Sequence, residues 1–153
     1  METGLPEGWC VDTAWGQADV DAAHAYLVTA YWCEGISRSL LERAMRGSLN
    51  FVLRDPLGRL KGYARVISDR ATFAYLCDVF VEESLRGRGL GHAMVSAVTD
   101  APDLQGLRRF SLFTRDAHGL YARHGFKPLA TPDRGMEIVR PGLYLENQSE
   151  RVK

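Results

Sequence analysis

The segment Val81-Glu82-Glu83-Ser84-Leu85-Arg86-Gly87-Arg88-Gly89-Leu90-Gly91-His92 decides how the rest of the chain is read. The apolar stretch Thr72–Val81 leads into it and has the β-branched and aromatic content of a central strand. A helical pattern follows over residues 91–101, with Met94, Val95 and Val98 inward and Pro102 as its breaker. Three alternating glycines therefore lie between a strand and a helix. Glycine lets the backbone approach a ligand and turn its amides inward. The helix start adds partial positive charge, and Arg86 and Arg88 add full charges that can bond an anion at two points. The ligand these features suit is a phosphate or pyrophosphate. Two familiar nucleotide motifs fail on spacing. A Walker loop needs Gly-Lys-Ser/Thr, and a dinucleotide fingerprint needs a third glycine where His92 stands.

Working outward, the pattern before the loop is a meander. Trp9–Thr13 reads as a short strand and Asp19 to Trp32 as a helix with Val20, Ala23, Leu27, Ala30 and Tyr31 on one face. A second helix is expected to start at Ser37 or Ser39, Ser39-Leu40-Leu41-Glu42 fitting a capping box, and Gly47 ends it. Asn50–Arg54 is a strand, Asp55-Pro56-Leu57-Gly58 a type I turn, and Arg59–Ser68 an alternating antiparallel strand. After the loop come a strand over Arg108–Thr114, a short helix over Asp116–His124 and a last strand over Met136–Val139. The order is β-α-α-β-β-β-α-β-α-β, an α/β domain over residues 1–142, with a polar tail over 143–153 expected to fray.

The 153 residues carry 19 Lys+Arg and 19 Asp+Glu, a zero balance that argues against bulk nucleic-acid binding. The charges are uneven. Residues 1–34 hold six acids and no base, leaving 19 bases against 13 acids in the remainder. That split reads either as ordinary solvated faces or as two sites of opposite polarity. Three widely spaced cysteines and four histidines show no metal-ligand spacing, so no metal is expected. The first residues lack the pattern of a signal peptide, and no apolar run reaches the roughly 20 residues of a membrane span. No membrane association is expected, and the default compartment is the cytoplasm.

Arg86-Gly87-Arg88-Gly89-Leu90-Gly91 resembles the Arg/Gln-x-x-Gly-x-Gly/Ala loop of the GNAT superfamily of acetyl-CoA-dependent N-acetyltransferases. Ala117-His118-Gly119-Leu120-Tyr121-Ala122-Arg123-His124-Gly125-Phe126 is similar to that family's second signature. The two cover Thr72–Phe126 in the expected order. One departure stands at Thr114, where the family often has Asn. The resemblance implies a mixed, mostly antiparallel sheet with helices on both faces. Its cofactor gap lies where the fourth and fifth strands splay apart.

The same resemblance assigns residues. Acetyl-CoA would be the co-substrate. Its pyrophosphate would rest on amides of Arg86, Gly87, Arg88, Gly89, Leu90, Gly91 and His92, and its pantetheine arm would lie near Phe80 and Val81. Thr114 would take a weaker share of the missing Asn's role. Tyr121 would be the general acid that protonates the leaving thiolate; its alternative is an aromatic packed on Leu120 and Phe126. Asp78, an acid inside an apolar strand, is the leading general base, with a buried carboxylate satisfying loop amides as the equal alternative. Trp32, Glu34 and Tyr75 would line the acceptor pocket, together with Tyr31 and Phe73 if these are not core. Aromatics with acids suit a cationic amine. The acceptor expected is a primary amine of a small molecule. A protein or peptide amine and a non-catalytic acetyl-CoA-binding module are the alternatives. Dimers through an exposed strand or helix face are common in the family, which leaves a homodimer open.

Overall fold

The computed structural model describes residues 4–151, with side chains described to Asn147. Five strands form one sheet in the order β1 (Cys10–Asp12), β2 (Leu49–Arg54), β3 (Leu60–Ser68), β4 (Phe73–Val81) and β5 (Arg109–Leu112). The first three pairings are antiparallel, because short turns join β2 to β3 and β3 to β4. β4 and β5 run parallel, since the connection between them crosses over through α3 (Leu90–Thr99).

Both faces of the sheet are covered. Phe51, Leu53, Ala64, Val66, Ala74 and Leu76 pack under α3, against Leu90, Met94, Val95 and Val98. Val52, Tyr63 and Phe80 face the other way, toward α1 (Gln17–Leu27) and α2 (Arg38–Arg46). Strand alternation sorts neighbours such as Val52 and Leu53 to opposite layers. The odd-numbered face of β3 is thus no solvent face at Tyr63, which is fully buried. Leu27, Leu41 and Met45 are also fully buried, each contributing about 1.5–3 kcal/mol of transfer free energy.

Of the two expected starts α2 uses the earlier, two residues before the capping-box serine. Ser37 is its N-cap and accepts from the Leu40 amide at 3.2 Å. Glu42 is occupied elsewhere, accepting from Gln17 at 2.6 Å and Arg46 at 2.7 Å.

One expected strand is missing at the C-terminal end. Met136–Val139 is not a strand: residues 127–142 form an exposed arm, irregular apart from a 3-10 turn at Pro132–Arg134, with Met136 98% and Ile138 94% accessible. Its composition suits a strand, but within this chain it lies against no sheet edge. The polar segment after Gly142 is helical, α5 (Leu143–Arg151), and Tyr144 packs on the α1–α2 layer. None of the described helices is long and apolar enough to cross a membrane.

Candidate active site

The site begins with a mismatch in strand length. β5 pairs with β4 only from Phe73↔Arg109 to Leu76↔Leu112. β4 continues to Val81, so Cys77–Val81 has β3 on one side and a gap on the other. A cavity of ≈ 770 Å³ occupies that gap and the ground below it.

A bulge shapes the strand within the gap. Arg65 pairs with Cys77, but Tyr63 pairs with Phe80, so β4 carries one residue too many between them. Asp78 absorbs the irregularity with φ +55°, a left-handed value uncommon outside glycine. The slip exchanges the faces of the strand. Before it Ala74 and Leu76 pack under α3; beyond it Val79 and Val81 do so, and Phe80 turns to the α1 side.

The glycine loop closes one end of the gap. Gly87 and Gly89 have φ +81° and +77°, and Gly89 caps α3. A Cβ on either would meet nothing within 4 Å, so the two glycines leave an open bay at the helix start. Positive φ and open space together fit a phosphate-bearing ligand held by amides. Phe80, Val81, Arg86, Gly87, Gly89, Leu90, Gly91 and His92 all line the cavity. The Arg86 guanidinium donates to the Tyr26 hydroxyl at 2.8 Å, and the Tyr26 ring stacks on Phe80 at 4.0 Å. Arg88 is not among the lining residues; its guanidinium sits 5.7 Å from the Trp9 ring centre. His92 lies beside His124, Nδ1 to Nε2 3.2 Å, and burial followed by the charge of His92 holds His124 below the usual imidazole range.

Tyr121 stands where the spaces meet. It comes from the short helix α4 (His118–Ala122), is 8% exposed, and lines both the large cavity and an adjoining one of ≈ 450 Å³. Its ring packs edge-on to Phe126, so the packing role and a chemical role coexist. Burial, with Tyr31 nearby, pushes its phenol up to about 12, which keeps it a proton donor at neutral pH.

The smaller cavity is lined by Tyr31, Trp32, Tyr75, Asp78, Thr114 and Arg115, among others. Asp78 is buried, but not among loop amides. Its Oδ2 accepts from Arg65 Nε at 2.8 Å and its Oδ1 from Trp32 Nε1 at 3.0 Å. The indole is thereby fixed in the cavity wall. Arg115 lies 3.9 Å over the Tyr31 ring at the junction of the two cavities.

Several residues fall elsewhere than expected. Glu34 is exposed and lines neither cavity. Thr114 is absent from the large cavity's wall; its hydroxyl accepts from the Ala117 amide at 3.0 Å and so braces the start of α4. Phe73 is 42% exposed at the far end of β4. Of the acids of residues 1–34, none of the described ones lines either cavity, although Tyr31 and Trp32 of the same segment do. Asp12 and Asp19 bond Arg54, and Asp21 bonds Arg38. Arg65 and Tyr26 are not legible as site residues in the sequence. Nothing in alternation distinguishes Arg65 from a solvated arginine, because its partner is reached only across the bulge.

The acetyltransferase (GNAT) domain family matches residues 46–128, which contain β2 to α4 with the gap, the bulge and the glycine loop. The chain belongs to the GNAT acetyltransferase family. This GNAT domain is 30% identical to a candidate acetyltransferase of Gibberella zeae, over 78% of this chain and 81% of that protein. The solved structure of a candidate GNAT acetyltransferase of Xanthomonas campestris pv. campestris superposes with a TM-score of 0.86 at 49% identity, covering 92% of this chain and 98% of that one. A Mycobacterium tuberculosis protein solved in complex with CoA shares the fold at a TM-score of 0.65 and 24% identity, covering 92% of this chain and 81% of that one.

Proposed function

We propose that this acetyltransferase moves the acetyl group of acetyl-CoA directly onto a primary amine of a small molecule. The observation that carries the reading is the junction at Tyr121, where a gap ending in a phosphate-type bay meets a second, smaller cavity. Two spaces sharing one proton donor suit two substrates held together, an arrangement that supplies much of a rate enhancement through proximity. The smaller space, ≈ 450 Å³, is of small-molecule size.

Acetyl-CoA supplies the thioester, the acyl group and the leaving sulfur. Amides of Gly87, Gly89, Leu90, Gly91 and His92 at the start of α3 would hold its pyrophosphate. The open side of β4 at Val79–Val81 would take its pantetheine arm as an added strand and donate an amide to the thioester oxygen. Asp78 would accept the proton of the incoming ammonium: each of its oxygens keeps a lone pair after bonding Arg65 and Trp32. The amine nitrogen then bonds the carbonyl carbon, the carbon–sulfur bond breaks, Tyr121 gives its phenolic proton to the departing sulfur, and the second proton shed by the nitrogen as the amide forms restores the phenol. The faces of Trp32 and Tyr75 suit the cationic form of the amine.

The test is a melting-temperature shift with acetyl-CoA followed by an amine panel read by thiol release. Stabilisation with amine-dependent thiol release supports the proposal. Stabilisation without turnover on any small amine, but turnover on peptides, overturns the acceptor assignment.

A further inference from the structure

We propose that the acceptor is a free amino acid with an uncharged, apolar side chain, and that Arg115 selects it by taking its carboxylate. The inference rests on the two-substrate reading above and narrows its acceptor. Arg115 lines both cavities and lies where they meet at Tyr31. Its guanidinium sits 3.9 Å over the Tyr31 ring. Among the described residues that head group makes no ion pair and no hydrogen bond. Its N–H donors are therefore placed at the cavity entrance with no protein acceptor.

The charge balance of the smaller cavity points to a zwitterion. Asp78, Arg115 and Asp116 are the charged residues of its wall among those described. Asp78 is paired with Arg65 and brings little net charge. Arg115 and Asp116 are exposed, and neither is in an ion pair among the described residues. A simple amine leaves Arg115 unmatched, and a simple acid leaves Asp116 unmatched. An ammonium and a carboxylate on one molecule match both. Asp116, beside Arg115 in the chain, opposes a second carboxylate. The rest of the surface suits an apolar body: Tyr75, Val79, Leu112 and Phe113 line it, and the Tyr75 and Phe113 ring centroids are 6.1 Å apart.

The ends of such a ligand are ordered along one wall. Asp78 Oδ1 accepts from Trp32 Nε1 at 3.0 Å, the Trp32 ring meets Tyr31 edge-on with centroids 5.0 Å apart, and Tyr31 carries Arg115. An amino acid laid along this wall has its ammonium at Asp78, against the aromatic faces, and its carboxylate at Arg115. The guanidinium fork fits a carboxylate through two parallel bonds. The carboxylate is bound and not transformed, so the acetyl transfer stays as described above.

The test uses L-phenylalanine, L-leucine and L-methionine, each beside its carboxamide, which keeps the amine and the shape and removes the negative charge. Thiol release from acetyl-CoA gives kcat/KM for each compound. The wild type is expected to favour the carboxylate of at least one pair by about 10-fold or more, chiefly through KM. Arg115→Gln should bring that ratio to about 1, and Arg115→Lys should fall between, because a point charge replaces the fork. Each ratio is taken within one protein, so a general loss of activity cancels. Equal use of the two compounds by the wild type in every pair, preference for the carboxamide, or a carboxylate preference that survives Arg115→Gln would each overturn the proposal and leave amine acetylation standing. If no compound of any pair is turned over, calorimetric titration of the three amino acids into the CoA-bound protein decides. Binding that Arg115→Gln abolishes keeps the amino-acid site and sinks the proposed transfer; no binding to the wild type sinks the site.

Discussion

Asp78 holds a left-handed backbone at φ +55° while its carboxylate takes the Arg65 guanidinium at 2.8 Å across the sheet. The two side chains are 8% and 15% exposed, so the pair is buried. Strained backbone, β-bulge and ion pair thus coincide at one residue in the wall of the cleft. A left-handed non-glycine residue costs about 1–3 kcal/mol and persists where its surroundings over-determine it. Here Arg65, Trp32 and the two-for-one pairing with β3 do so.

Asp78→Asn tests the pair. Asn tolerates the same backbone and keeps the shape, but Arg65 loses its counter-charge. We expect a stability loss of about 3 kcal/mol, the cost of breaking a buried pair on one side. Adding Arg65→Met should restore a large part of it. Urea unfolding of the two single variants and the double variant measures the coupling. If Asp78 is also the base, Asp78→Asn loses turnover while keeping its melting shift with acetyl-CoA.

Tyr121→Phe separates packing from chemistry. The ring still meets Phe126 edge-on, so the melting temperature should hold. Turnover is expected to fall about 100-fold, with acetyl-CoA affinity unchanged, as for loss of a general acid. Because burial sets the phenol at about 12, the wild type should show no loss of turnover from tyrosine ionisation up to about pH 10. Stopped assays of kcat against pH decide the matter.

Gly89→Ala tests the phosphate bay. The new methyl clashes with nothing in the ligand-free protein. Its penalty there is conformational, about 1–2 kcal/mol for a left-handed position. The larger effect should be on binding, because the methyl fills the bay. The melting shift produced by acetyl-CoA should largely vanish, while the unliganded protein remains folded.

The Asp19–Arg54 pair predicts acid sensitivity. Burial raises the Asp19 pKa most, but the bonds from Arg54 and the Gly16 amide, with the Arg54 charge, outweigh it and hold the group below the usual carboxylate range. The unfolded chain therefore binds the proton more tightly than the folded one. The pair's stabilisation is present above the ordinary Asp value of about 3.9 and is lost as pH falls through the lower folded value. Urea midpoints measured downward from neutral pH should fall more steeply for the wild type than for Arg54→Met.

The sequence by itself determined the element order through α4, the glycine bay and the position of Tyr121. Each depends on local spacing: strand alternation, helical period, and glycines where φ must be positive. The same local information misread what depends on distant partners. Arg65 was indistinguishable from a surface arginine until the bulge brought Asp78 beside it. The acids of residues 1–34 suggested an acceptor wall, but Arg54 and Arg38 claim three of them across the fold. Met136–Val139 has the composition of a strand, yet strandhood requires a neighbouring edge, and no edge in its own chain reaches it. Tertiary structure alone decides such cases, because an ion pair, a bulge and a sheet edge are relations between residues far apart in sequence.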